Sequence, residues 1–234
     1  MAGLRAAPDL DFSGYVLDRI ETQECNYNWK TFIEVYLEDY HVGPFHPGLG
    51  QFVTCDDLKW QFADWASMQF VGVNNGLARP GTKTYDRWHQ AVLDYYRGET
   101  PPHGAIWLTY YPNVMVEWYP HVLVISTLIP QAVDRTLNVI EFYYPEEIAL
   151  FEREFVEAEQ AAYHETAKED DEIAERMDAG RRTKGRSSSA SACGRDARTA
   201  FPRTAARRAA RLSNPKSSDE SGIRCCACCL CPTA

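Results

Sequence analysis

His41 and His46 lie five residues apart in the run from Glu38 to Pro47, EDYHVGPFHP. Neutral imidazoles are good ligands for first-row transition metals. On one unbroken helix, however, two residues five apart point about 140° away from each other. The sequence predicts a way round this. Pro44 has no N–H to donate and clashes with the preceding turn, so Gly43 and Pro44 are expected to stop the helix between the histidines. Pro47 biases His46 towards an extended backbone. His41 is then expected on a last helical turn and His46 on the loop that doubles back, with both rings able to reach one ion. A pair does not make a site, and the third donor must come from elsewhere in the chain.

The acid run Glu169–Glu172 falls within a long helical pattern over 146–182. Asp170 shares the three- and four-residue spacing of Tyr163, Ala167, Ala174 and Met177, which form an apolar stripe. Asp171 falls instead with Glu175 and Asp178 on a polar face. An ionised carboxylate on an apolar stripe is costly unless something pairs with it. A divalent metal would serve; so would an arginine, or a place at the rim of the stripe. Glu38, three residues before His41, shares its face of the predicted helix. It is placed to hydrogen-bond a ligating ring and fix its tautomer, or else to be an ordinary exposed acid. His89, His103, His121 and His164 show no recruiting spacing and are expected at the surface or in turns. Trp107, Trp118, Phe142 and Tyr144 sit at strand spacing and read as core.

These residues need elements to hold them. Trp29, Phe32, Ile33, Tyr36 and Leu37 predict an amphipathic helix over 28–41, and a second helix is expected over 84–97. Alternation around Trp60 and Phe62, and again from Met68 to Asn74, predicts strands, with a turn at Arg79–Pro80. Residues 105–111, 114–119, 122–129 and 137–144 are rich in β-branched and aromatic side chains. Pro112, Pro120 and Pro130 separate them at hairpin spacing, which implies antiparallel pairing. Pro145 is expected at the first position of the long helix. The fold class is α+β: a curved antiparallel sheet packed on a long C-terminal helix, in a helix-grip-like arrangement.

Composition divides the chain of 234 residues. Residues 1–180 carry 30 Asp/Glu and 12 Lys/Arg, whereas residues 181–234 carry 3 and 12. Of the aromatic residues only Phe201 lies beyond 180. The first part can bury a core and the second cannot. The acidity of the first part argues against nucleic acid as a partner. With only Cys25 and Cys55 before the tail, a disulfide framework is excluded and a reducing, cytoplasmic compartment is expected. Nothing approaches the roughly 18 consecutive apolar residues of a membrane span. The expected organisation is a linker remnant at 1–20, a catalytic domain at 21–182, and a disordered Ala/Arg/Ser/Cys-rich tail at 183–234. That tail is read as an out-of-frame extension, because composition changes abruptly inside a helix. Its Cys225–Cys231 cluster is conceivable as a soft-metal site.

The run Asn28–Pro47 resembles the catalytic domain of Rieske-type aromatic ring-hydroxylating oxygenases, large (α) subunit. It carries that family's NWK, an acid three residues before the first histidine, and HxxxxHP. The segment Asp170–Gly180 is similar to the family's later D-x-x-I-x-E pattern, which points to Asp170 as the ligand. The resemblance implies mononuclear Fe(II) held by His41, His46 and Asp170, with Glu38 on the path from the cluster of a neighbouring subunit. It further implies O2 and a small organic substrate, aromatic or otherwise, a reductase or ferredoxin, and a homotrimer. The family's CxH and CxxH ligands for a [2Fe–2S] cluster do not occur here. The chain is therefore expected to be a fragment that turns over little on its own. Two other readings stand beside this one: a metal-free module that binds hydrophobic ligands, and a zinc hydrolase.

Overall fold

In the computed structural model, residues 12–74 and 81–183 are described, within a unit spanning Met1–Gly185. The expectations for 1–11, for the turn at Arg79–Pro80 and for the tail from 184 onwards lie outside the described residues.

The β-branched and aromatic runs form strands where the alternation predicts them. β1 (Tyr15–Cys25), β2 (Val53–Phe62), β3 (Ala66–Val73), β4 (Ala105–Tyr110), β5 (Val114–Tyr119), β6 (Val122–Ala132) and β7 (Arg135–Pro145) make one antiparallel sheet. Its order is β1-β7-β6-β5-β4-β3-β2. β2 to β7 thus form a meander, and β1 closes onto the last strand, from Tyr15 opposite Pro145 to Cys25 opposite Thr136. The linker expected up to residue 20 therefore includes the first half of a sheet strand. Its own alternation is weak because most of its side chains are exposed or half-buried. β6 also runs past the break expected at Pro130. β5 pairs with β6 only over Val122–Thr127, so at Pro130 the missing N–H interrupts no ladder on that side.

One face of the sheet carries the main core, in which Phe52, Val71, Trp88, Phe142 and Val156 pack together. The opposite face carries a smaller cluster of Met68, Ile106 and Trp118. Trp107 and Trp118 therefore lie on opposite faces, as expected from their positions in paired strands.

The helices are α1 (Trp29–Leu37), α2 (Val42–Phe45), α3 (Leu49–Phe52), α4 (Lys83–Tyr95), α5 (Glu146–Phe151) and α6 (Arg153–Thr183). Asn28 caps α1, its side chain accepting from the Lys30 N–H at 3.0 Å. The long pattern from 146 is two helices, not one. The Glu152 N–H bonds the Ile148 carbonyl and ends α5, while its own carbonyl accepts from Val156 in α6. No Gly or Pro marks that break, so the sequence offered no signal for it. Pro145 is the last residue of β7 and caps α5 rather than starting the helix. Asp178, expected on a polar face, is buried: it accepts from Thr31 Oγ1 at 3.0 Å and from Arg182 Nη2 at 2.7 Å, tying α1 to α6. Among the described residues no helix is long and apolar enough to cross a membrane.

Candidate metal centre

The helix expected to reach His41 stops earlier. α1 ends at Leu37, and Glu38 is extended, at φ −101° and ψ 142°. His41 precedes α2 and His46 follows it, so a single helical turn separates the two rings. Pro44 falls inside that turn, where its missing N–H costs nothing because the first N–H groups of a helix have no partner within it. The Phe45 N–H bonds His41 O at 2.9 Å and the His46 N–H bonds Val42 O at 3.1 Å. The turn returns the chain, and the two ring centroids lie 4.9 Å apart with their planes at 70°.

α6 brings the third donor. Asp170 Oδ1 lies 3.3 Å from His41 Nε2 and 3.0 Å from His46 Nε2. One ligand atom from each of the three residues falls within 4.8 Å of the other two. Donors at about 2.1 Å from one ion and at right angles to each other lie about 3 Å apart, so the spacing fits a shared cation. Both histidines are buried.

The outward nitrogens are held by other acids. His41 Nδ1 lies 2.5 Å from Glu38 Oε1, a close charge contact without the alignment of a good hydrogen bond. His46 Nδ1 lies 2.7 Å from Glu169 Oε2. A carboxylate on the far nitrogen orients a ligating imidazole and directs its other nitrogen at the metal. Glu38 thus meets His41, although from an extended segment rather than a shared helical face.

Electrostatics of the three side chains point the same way. Burial alone would lower the His41 pKa, but Asp170 and Glu38 outweigh it and raise it to about 9. His46 is likewise raised by Asp170 and Glu169 against the effect of burial. Burial would raise Asp170, yet the two histidines hold it below the usual carboxylate range. The three side chains therefore share positive charge, as protons or as a cation in their place.

Asp171 turns elsewhere. It accepts from Tyr27 Oη at 2.6 Å and Gln23 Nε2 at 2.7 Å. It is thus not on an open polar face, but neither is it in the cage.

The cage opens into a cavity of about 90 Å³, lined largely by aromatic rings, among them Tyr36, Phe52, Trp88, Trp107 and Tyr163. Five acids reach it: Glu38, Glu117, Glu159, Asp170 and Asp171; no Lys or Arg does among the described residues. Burial pushes Glu117 up to about 7 and Glu159 up to about 8. Of the four remaining histidines, His89 departs from expectation, being buried on α4 against Phe52. His121 sits in a turn, and His164 meets Glu21 at 2.7 Å. Glu169, Glu117 and Glu159 were not singled out by the sequence. Glu117 offered a signal, as a lone acid in the apolar strand VMVEWY.

Comparison with known proteins agrees with this architecture. The chain is 71% identical over 181 residues to a putrescine 2-hydroxylase of Ralstonia nicotianae, covering 77% of this chain and 50% of that protein. It is 67% identical over 182 residues to a putrescine 2-hydroxylase of Bordetella bronchiseptica, covering 78% and 42%. The chain thus spans about half the length of the curated relatives it matches. Among solved structures, a quaternary ammonium Rieske monooxygenase superposes with a TM-score of 0.55 at 19% identity, over 74% of this chain and 41% of that one. Dicamba monooxygenase superposes at 0.52 and 12% identity, over 85% and 60%. Both share the fold. The model of the family described as ring hydroxylating alpha subunit (catalytic domain) matches residues 12–208, and the chain belongs to that family.

Proposed function

We propose that this chain is the catalytic part of an iron-dependent hydroxylase acting on a small aliphatic diamine, with His41, His46 and Asp170 as the metal ligands. The observation that carries the reading is the approach of both Nε2 atoms to Asp170 Oδ1 at 3.0–3.3 Å at the edge of an acidic cavity. Two neutral imidazoles and one carboxylate on a face of Fe(II) leave positions open, the pattern of non-haem oxygenases. Bound iron would supply the redox chemistry that reduces O2 and places one oxygen atom in a C–H bond. Glu38 and Glu169 hold the outer nitrogens so that both rings face the metal. The aromatic wall excludes water, and the acids favour a cationic substrate. That charge speaks for an amine, as in the name of the two relatives, over the aromatic substrate the family resemblance suggested. Electrons come from a separate carrier, with a Rieske cluster and a trimeric assembly completing the system. Inter-subunit electron transfer is described for a quaternary ammonium Rieske monooxygenase of the same fold.

Anaerobic reconstitution with Fe(II), metal analysis and the EPR spectrum of the nitric oxide adduct test the centre. Stoichiometric iron with a nitrosyl signal is expected for the wild type and for Asp171→Ala. His41→Ala and Asp170→Ala are expected to lose it. Zinc retained without a nitrosyl signal would favour a hydrolase, and no stoichiometric metal would favour a plain binding module.

A further inference from the structure

Glu117 sits on β5 with its side chain on the cavity face of the sheet, opposite Trp107 on β4 and Val124 on β6. It is only 8% exposed. Among the described residues no lysine or arginine pairs with it. Tyr119, two residues along and therefore on the same face, donates its hydroxyl to Glu117 Oε2 at 2.9 Å. The Tyr119 oxygen in turn accepts from Trp107 Nε1 at 3.2 Å. This relay fixes the direction of the tyrosine proton and holds the carboxylate in one orientation. The second carboxylate oxygen receives no hydrogen bond from the described residues.

A buried, oriented carboxylate without a cation is costly to maintain. Three of the other four acids of the cavity are more fully engaged: Glu38 and Asp170 by the histidines, and Asp171 by Tyr27 and Gln23. Glu159 is buried too, and one of its oxygens accepts from the Tyr144 hydroxyl.

We infer that Glu117 is the anchor for an ammonium group of the substrate, with Tyr119 and Trp107 as its positioning residues. An ammonium carries donors for the open oxygen and a charge to neutralise the carboxylate. The rings of Trp107, Tyr119 and Tyr36 offer faces that attract a desolvated cation. Glu117 and Asp170 line the same cavity. An amine held at Glu117 would direct its alkyl chain along the aromatic wall towards the metal ligands. The anchor would thereby choose which carbon is presented, and would discriminate against neutral molecules of the same length. This inference rests on the amine reading of the site.

Calorimetric titration of the full, Fe(II)-loaded chain under anaerobic conditions tests it, with 1,4-diaminobutane, 1-aminobutane and 1-butanol as probes. The wild type is expected to bind both amines more tightly than the alcohol. Glu117→Gln is expected to lose about 30-fold or more in amine affinity. Its iron content, its affinity for the alcohol and its folding should be retained. Tyr119→Phe keeps the charge but removes the donor that orients it, and should weaken amine binding by about 5- to 10-fold. Unchanged amine affinity in Glu117→Gln, or a loss confined to Glu159→Gln, would overturn the anchor and leave the amine reading standing. A wild type that does not prefer amines over the alcohol would overturn the amine reading and the anchor with it.

Discussion

Asp170 and Asp171 are neighbours in the chain with different surroundings. Asp170 meets two imidazoles, whereas Asp171 meets a phenol and an amide. At the scale of single residues, Glu117 offers a test of what burial costs. Its carboxyl is pushed up to about 7 by burial, against about 4.3 in an unfolded chain. Between those values the unfolded chain binds fewer protons than the folded one, so this group makes stability fall as pH rises. Glu117→Gln cannot ionise. Without amine it is expected to unfold about 5 °C above the wild type at pH 8, with the gap closing towards pH 5, as followed by thermal unfolding. Asp170 stood out in the sequence because it interrupts an apolar stripe, which left a metal, an arginine or the rim of the stripe open as the reason. The family resemblance was what pointed to it as a ligand. Glu169 was not, because nothing in a run of four acids tells which ones face a histidine. Glu117 was legible only as an oddity, since its meaning depends on Tyr119 and Trp107, and the latter comes from another strand.

At the scale of elements, the sequence predicted a helix that reaches His41 and is stopped by Gly43 and Pro44, whereas α1 ends at Leu37 and the residues between the histidines form a helical turn. Pro44 does not end a helix there; it sits in the first turn of a new one of four residues, which begins at Val42. A proline near a helix end is compatible with both outcomes, and only tertiary packing decides. The loop that carries His46 is held from outside by close packing. A Cβ on Gly81 would lie 1.5 Å from the Pro47 carbonyl oxygen, a backbone atom that cannot rotate away. Gly81→Ala is therefore expected to displace the His46 segment and lower Fe(II) affinity about 10- to 100-fold. Circular dichroism should still report the sheet, which would assign the loss to the loop rather than to unfolding.

At the scale of the whole molecule, His46 and Asp170 are 124 residues apart in sequence, so an ion held by both fastens the helical layer to the loop after α2. Any ligand that binds only the folded form stabilises it by mass action. At about 100 times its dissociation constant, Fe(II) is expected to raise the unfolding temperature by about 5–10 °C. A chelator should reverse this, and Asp170→Ala should show no shift. The meander was readable from its alternation and its punctuating prolines. The place of β1 was not, because pairing with β7 is a non-local choice that no local pattern records.

That choice has a consequence during synthesis. β1 leaves the ribosome before the other six strands, yet its hydrogen-bonding partner is β7, which emerges more than a hundred residues later. Until then the nascent chain carries an orphan edge, open to self-association or to capture by a chaperone. A chain stalled before residue 135 would hold both histidines but neither the seventh strand nor the carboxylate. Its folding and its metal would be delayed by the same missing stretch.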